Sequence, residues 1–164
     1  MISKTMENAI NEQINKELYS SYLYLSMAAY FESINLGGFA KWMYVQEGEE
    51  REHGMKFFHY LVERGAHPQL KAIAVPETEW VSPMACMEAV YEHEQGVTKS
   101  INALYELALK EKDYPTQIML QWFISEQVEE EKNALDIIES LKRIEAHDTA
   151  VLMLDKQLGK RGGD

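Results

Sequence analysis

Apolar residues recur at steps of three and four along most of the chain, which is the spacing that places them on one face of an α-helix. Capping and turn residues divide this pattern into long segments. Ser3 precedes the first segment as an N-cap residue, Gly37 follows it, and Gly65 follows the second. We therefore predict four long helices, at about residues 4–36, 39–64, 83–112 and 115–144.

The connection between the second and third predicted helices differs from the other two turns. Residues 66–82 contain Pro68 and Pro76 and show no sustained period, so they form a long connection of about 17 residues. The two other turns are short, which makes the helices within each half antiparallel, whereas a long connection can travel the length of a bundle. The pattern thus predicts an all-α fold, a four-helix bundle with one long crossover.

A shorter amphipathic segment follows the bundle. Residues 148–158 place Val151, Leu154 and Leu158 on one face, which predicts a short C-terminal fifth helix. This face could pack on the same bundle or on neighbouring subunits, and the pattern favours neither. We expect one domain over residues 1–164, with the bundle at about 4–144 and a flexible tail at 159–164.

Charge and composition exclude several classes of partner. The formal net charge is -11 and the isoelectric point is near 4.9, which opposes binding to nucleic acid or to anionic membranes and favours cations. The single cysteine, Cys86, cannot form an intrachain disulfide, which suits a reducing compartment. The N-terminus has no apolar signal region, and no apolar run reaches the roughly 18 residues of a membrane span. We expect a cytoplasmic protein without nucleic-acid or membrane partners.

Polar residues interrupt the apolar face of each long helix near its middle, so antiparallel packing brings them to one level. Four carboxylates inside an apolar bundle cannot all stay ionised without compensation, and no Lys or Arg occupies these faces. Two divalent cations would balance the four charges, and an imidazole would complete the ligand set. The six residues are Glu17, Glu50, His53, Glu94, Gln127 and Glu130.

The two halves of the chain repeat one spacing. In each half, the polar positions of the second helix follow the glutamate of the first by 33 and 36 residues: Glu17, Glu50 and His53, and then Glu94, Gln127 and Glu130. A Glu on one helix with Glu-x-x-His on the next, twice over, is the ligand set of di-iron carboxylate bundles. The second half departs from it, because an amide replaces the bridging carboxylate. We therefore expect the second ion to be held more loosely than the first.

Further residues extend the candidate site. Glu49, Glu126, Glu129 and Glu130 could hold a third cation at the edge of the core, although an acidic run of this kind is in isolation more often a solvated face. Tyr24 lies at the same level on the first helix. It either bonds a ligand or lends electrons, or it is an ordinary core aromatic residue, and the sequence leaves both readings open.

At this point the chain resembles the ferritins, specifically the non-haem ferritins of bacteria and archaea. The resemblance covers nearly the whole chain, through INKELYSSYLYLSMAAYF, GFAKWMYVQEGEEREHGMKFF, VPETEW, VYEHEQGVTKSI and LQWFISEQVEEE. It implies a ferroxidase centre inside each subunit and a hollow shell of 24 identical subunits. Such a shell would also offer a surface for the fifth helix.

The resemblance implies a ligand set for each iron. It assigns the first iron to Glu17, Glu50 and His53, the second to Glu50, Glu94 and Glu130 with Gln127 nearby, and a third to Glu49, Glu126, Glu129 and Glu130. Tyr24 would be hydrogen-bonded beside the centre. Haem is not expected, because Arg51 stands where bacterioferritins have a haem-binding methionine after the bridging glutamate.

The expected function is iron storage with ferroxidase activity: Fe(II) is oxidised by dioxygen or peroxide, and Fe(III) is deposited as a mineral. One alternative is a self-contained di-iron oxidoreductase that retains its metal, against which the amide at Gln127 argues. Another is a structural or metal-buffering bundle. Iron-dependent oxygen consumption would separate this last alternative from a ferroxidase.

Overall fold

The computed structural model describes residues 1–144 and 147–162, and these residues form five helices and no strand. The helices are α1 (Lys4–Ser33), α2 (Gly37–Glu63), α3 (Pro83–Glu111), α4 (Tyr114–Ile144) and α5 (Asp148–Leu158). The predicted all-α bundle with a long crossover and a short fifth helix is therefore confirmed.

Serine side chains begin two of the long helices. The Ser3 hydroxyl accepts a hydrogen bond from Met6 N at 3.0 Å, and the Ser82 hydroxyl accepts one from Ala85 N at 3.1 Å. These bonds satisfy backbone N–H groups that have no partner within the helix. Pro83 occupies the first turn of α3, where its missing N–H costs nothing.

The turn between α1 and α2 differs from the prediction. The glycine pair was expected to end the first helix, but Gly37 begins α2, and Asn35 turns the chain with a φ of 59°. Gly38 serves a different purpose. A Cβ atom at this position would lie 1.7 Å from the carbonyl oxygen of Asp155, so only glycine permits this approach of α5 to α2.

The apolar core consists of two clusters, one towards each end of the bundle. The first includes Met27, Phe31, Phe39, Met43, Met87 and Ile138, and the second includes Met6, Ile10, Phe57, Ile101, Leu120 and Phe123. The second cluster joins the start of α1 to the end of α2, and the end of α3 to the start of α4. Each pair is therefore antiparallel, as predicted, and the middle of all four helices is left for polar residues.

The crossover, residues 66–82, runs along α1. Polar side chains of α1 bind its backbone at three points: Asn11 Oδ1 accepts from Gln69 N (2.7 Å), Asn15 Nδ2 donates to Ala72 O (3.2 Å) and Ser26 Oγ donates to Glu77 O (2.6 Å). The contacts advance together along both segments, so the crossover follows α1 from its first turns towards its C-terminal half.

Helix α5 docks on the bundle of its own chain. Val151, Leu154 and Leu158 pack against the first core cluster, and Asp155 Oδ1 accepts a hydrogen bond from Phe39 N at 2.9 Å. The tail at 159–164 stays a prediction as a flexible segment, and its last two residues lie outside the described part of the chain. None of the helices described is both long enough and apolar enough to span a membrane.

Candidate metal centre

All six polar residues singled out from the sequence lie in one buried layer between the two core clusters. Their side chains come from α1, α2, α3 and α4, because each helix carries them near its middle. None is more than 5% exposed: Glu17 (1%), Glu50 (1%), His53 (5%), Glu94 (1%), Gln127 (3%) and Glu130 (3%). The structure thus brings together the residues that the spacing predicted.

The half of the layer formed by α1 and α2 has unpartnered acceptors. Ligand atoms of Glu17, Glu50 and His53 all lie within 4.8 Å of one another. Glu17 Oε2 and both carboxylate oxygens of Glu50 are buried and have no hydrogen-bond partner among the residues that the structure describes. Burying such oxygens costs free energy unless a hydrogen-bond donor or a cation binds them. The three oxygens and the His53 nitrogen therefore fit a divalent metal ion as ligands.

The half formed by α3 and α4 is hydrogen-bonded within the protein. The Tyr24 hydroxyl donates to one oxygen of Glu94, and Gln127 Nε2 donates to the other at 3.1 Å. Gln46 Nε2 donates to Glu130 Oε2 at 2.5 Å. The carboxylates of this half therefore have partners before any cation arrives. Tyr24 thus contacts Glu94, one of the candidate ligands.

A chain of hydrogen bonds orients Glu17 from outside the layer. Lys16 Nζ donates to Ser100 Oγ at 2.7 Å, and Ser100 Oγ donates to Gln13 Oε1 at 2.6 Å. Gln13 Nε2 then donates to Glu17 Oε1 at 2.7 Å. The lysine thereby fixes which end of the Gln13 amide faces the glutamate, and it leaves the other oxygen of Glu17 free for a ligand.

A second chain of hydrogen bonds reaches the opposite half of the layer. Arg161 Nη1 donates to Gln46 Oε1 at 2.8 Å, and Gln46 in turn donates to Glu130. Gln13 and Gln46 are not among the site residues predicted from the sequence. A signal existed, because each stands four residues before a predicted metal-binding glutamate on its own helix and so shares its face.

Burial and mutual repulsion raise the pKa of all four carboxyl groups in the layer. Burial is the main cause of the raised pKa of Glu17 and of Glu50, and the neighbouring carboxylates add to it. Burial likewise raises the pKa of Glu94, and that of Glu130 to about 7. Without a cation, Glu130 therefore holds its proton up to a pH of about 7, and the raised pKa values of the other three favour their protonated forms as well. A metal ion that binds them has to displace those protons.

The candidate third site is only partly assembled. Ligand atoms of His53, Glu126 and Glu130 form a second group within 4.8 Å, whereas neither Glu49 nor Glu129 joins such a group in the described ranges. Glu129 is exposed. The carboxylate of Glu49 instead accepts a hydrogen bond from Arg161.

A surface pocket leads to this group between α2 and α4. It has a volume of about 530 Å³ and reaches His53, with Glu49, Glu52, Glu126 and Trp122 in its wall. The indole of Trp122 packs edge-on against the His53 ring, with 5.4 Å between the ring centroids. The wall thus combines three carboxylates with two basic side chains, Lys56 and His59, and it connects the surface to the buried imidazole.

Fold and layer together define a class: an all-α protein with a carboxylate-rich centre inside a four-helix bundle that has one long crossover. The sequence model of the ferritin family, which describes a ferritin-like domain, matches residues 7–144. The chain belongs to the ferritin family.

Individual relatives agree over almost the whole chain. A bacterial non-heme ferritin of Bacteroides fragilis is 45% identical over 161 residues, which is 98% of this chain and 100% of the relative. An open-pore ferritin of the archaeon Archaeoglobus fulgidus is 53% identical with a TM-score of 0.97, over 98% of this chain and 99% of that one. An engineered closed form of the same archaeal ferritin is 52% identical with a TM-score of 0.98, over 100% of both chains.

Proposed function

We propose that this protein stores iron and oxidises it in the process. Two Fe(II) ions bind at the buried layer and each gives one electron, so that with two protons dioxygen is reduced to hydrogen peroxide, or hydrogen peroxide to two molecules of water. The Fe(III) formed then passes to the interior of a hollow shell of 24 identical subunits. The observation that carries the proposal is the set of three unpartnered carboxylate oxygens on Glu17 and Glu50, buried beside His53, within the part of the chain described. Membership of the ferritin family supports the same function.

The first Fe(II) binds at Glu17, Glu50 and His53. His53 Nδ1 lies 3.6 Å from Glu50 Oε1, so a nitrogen and an oxygen ligand already face the same point. Glu50 has a second free oxygen, which can serve a neighbouring ion. Glu17 and Glu50 can bond each other only through a proton, so this ion displaces that proton and no donor side chain.

The second Fe(II) binds at Glu50, Glu94 and Glu130, with Gln127 beside it. This ion has to compete with the donors that Glu94 and Glu130 already have, namely Tyr24, Gln127 and Gln46. Its affinity is accordingly lower than that of the first ion. Weak binding at this position suits an ion that leaves once it has been oxidised.

Protein side chains also govern the protons. The carboxyl groups of the layer release protons as Fe(II) binds, and Glu130, with a pKa of about 7, does so near neutral pH. Burial and the adjacent Glu94 raise the pKa of Tyr24, so its hydroxyl stays protonated and continues to donate to that carboxylate. We assign Tyr24 the task of holding Glu94 in place during the reaction.

A third Fe(II) binds on the route to the surface pocket. Glu126 and Glu130 provide the nearest oxygens, and Glu49 and Glu129 complete the set when they turn inwards. This site would hold iron between the oxidation centre and the shell interior. We place the protein in the cytoplasm, in keeping with its single buried cysteine, Cys86.

The proposal is tested by adding Fe(II) aerobically to metal-free protein. We expect rapid consumption of dioxygen, a large assembled particle, and far more soluble iron than two ions per chain. Glu50→Ala and His53→Ala each remove a ligand of the first ion and should slow oxidation roughly tenfold or more. The rate is followed by ferric absorbance and by an oxygen electrode.

The matched control is Glu63→Ala, which removes an exposed glutamate near the end of the same helix. This variant should oxidise iron at the wild-type rate. Unchanged rapid oxidation in Glu50→Ala and His53→Ala would contradict the assigned centre. Two tightly held ions per chain in a small oligomer would contradict storage and favour a self-contained di-iron enzyme.

A further inference from the structure

A cation from the C-terminal segment lies at the edge of the centre. Arg161 Nη2 donates to Glu49 Oε2 at 2.7 Å, while Nη1 of the same guanidinium donates to Gln46 Oε1 at 2.8 Å. The guanidinium also lies over the Trp42 ring, 4.4 Å from its centroid. One side chain thus connects the end of the chain to α2 through two hydrogen bonds and an aromatic contact.

The fold delivers this side chain to its place. Helix α5 approaches α2 so closely that a Cβ at Gly38 would overlap the Asp155 carbonyl, and Asp155 also accepts from Phe39 N. Beyond α5, Gly162 turns with a φ of 68°, and a Cβ there would lie 3.0 Å from a methyl group of Val45. Close contacts on both sides of Arg161 therefore position it against α2.

The contact with Arg161 accounts for the incomplete third site. Glu126, Glu130 and His53 have ligand atoms close together, whereas the Glu49 carboxylate is engaged by the guanidinium. A metal ion needs the same carboxylate oxygens, and two cations cannot both be the near neighbour of Glu49 without repelling each other. Arg161 and a third ion therefore compete for Glu49.

The same guanidinium acts on a second ligand through an amide. Because Arg161 binds Gln46 Oε1, Gln46 presents its NH₂ group to Glu130, which belongs to both the second and the third candidate sets. Loss of Arg161 would free this amide to rotate. Displacement of Arg161 would therefore loosen Glu130 at the same time as it releases Glu49.

We propose that Arg161 is a built-in counter-cation for Glu49, which a third metal ion displaces when it binds. The C-terminal segment then sets the affinity of the third site. This inference rests on the proposed function, because it concerns the regulation of the same centre.

The test is a double-mutant cycle measured by titration calorimetry with Fe(II) under anaerobic conditions. The proteins are the wild type, Arg161→Gln, Glu49→Gln and the double variant, each freed of metal beforehand. We expect Arg161→Gln to tighten the third binding step roughly three- to tenfold, because the competing charge is gone. In the Glu49→Gln background the same substitution should tighten the third step by a clearly smaller factor, since the contested carboxylate is absent and only the contact through Gln46 to Glu130 remains.

Lys160→Gln is the matched control. It removes one positive charge from the neighbouring position, where the side chain is exposed, and it should bind like the wild type. An equal gain in Lys160→Gln would show a general charge effect and would overturn the proposal. An equal gain in both Glu49 backgrounds would overturn it as well, because Arg161 would then act only through the anchoring of the tail.

The cycle also separates this inference from the function on which it rests. If the wild type lacks the first two binding steps, the proposed function fails. If those two steps are present and the third step is the same in wild type and Arg161→Gln, or absent from both, only the role of Arg161 is overturned.

Discussion

The two halves of the polar layer have the same spacing and the same burial, yet they differ in how their carboxylates are satisfied. Glu17 and Glu50 keep three oxygens without a hydrogen-bond partner among the described residues, whereas Glu94 and Glu130 accept bonds from Tyr24, Gln127 and Gln46. The repeat therefore conserves position and not chemistry. One half depends on a cation for its stability, and the other half is already stable within the protein.

The test with the largest expected effect, a difference of about 4 kcal/mol between two variants, substitutes one glutamate in each half by methionine, a residue of similar size. Glu50→Met should raise the free energy of unfolding of the metal-free protein by about 2 kcal/mol, because it removes a buried carboxyl group that has no partner. Glu94→Met should lower it by about 2 kcal/mol, because the donors of Tyr24 and Gln127 lose their acceptor. Denaturant unfolding in the presence of a chelator measures both.

Opposite signs in these two variants would support the contrast between the halves. Two changes of the same sign would show that the halves do not differ in this way. As an internal control, both variants should lose much of the stabilisation that divalent cations give the wild type, since each removes a ligand.

The second test uses pH. The pKa of Glu130 is raised by burial from its ordinary value of 4.5 to about 7, so the folded metal-free protein binds a proton there that the unfolded chain releases. The free energy of unfolding therefore keeps its full value below pH 4.5, and it falls as the pH rises from there through 7. Glu130 alone then accounts for a fall of roughly 3 kcal/mol between these values, at 1.36 kcal/mol per pKa unit.

Chelator-treated protein should accordingly melt at a lower temperature at pH 8 than at pH 5. Added Zn²⁺, a redox-inert probe, should restore the melting temperature at pH 8. It should have little effect at pH 5, where protons compete with the metal ion for the carboxyl groups. Glu130→Gln should show a shallower decline. A melting temperature that rises with pH in the metal-free wild type would contradict the raised pKa values.

The smallest test makes the second half resemble the first. Gln127→Glu removes the amide donor to Glu94 and adds a carboxylate, so the second ion gains a ligand. We expect the second Fe(II) to bind on the order of tenfold more tightly in anaerobic calorimetry, which corresponds to about 1.4 kcal/mol. Gln121→Glu adds the same charge at an exposed position of α4 and should change nothing. Equal second-step affinities in all three proteins would argue that Gln127 does not cause the asymmetry.

Much of the fold and most of the centre could be predicted from the chain alone, because helical spacing and the polar interruptions are local signals. The prediction that Gly37 ends the first helix was wrong, because a glycine pair can either end a helix or allow another segment to approach closely. In the structure Asn35 makes the turn and Gly38 lets the Asp155 carbonyl approach. Neither the backbone conformation of Asn35 nor the contact with Asp155 can be read from a local pattern.

Contacts between distant segments account for what was missed. Arg161 reaches Glu49 across 112 positions, and no spacing rule links the two. The two glycines of α2 that flank the centre show the same limit. A Cβ at Gly54 would lie 3.4 Å from Glu17 Cβ, whereas a Cβ at Gly48 would have no atom within 4 Å. Which of the two is packed against α1 depends on contacts that helical spacing alone does not give.

All the candidate ligands come from a single polypeptide, and this has a consequence for the order of events during biogenesis. A newly folded subunit already carries the whole ligand set, so it can take up metal before it meets another copy. Early loading would stabilise that subunit by mass action. Under the proposed function, assembly would then determine where oxidised iron accumulates.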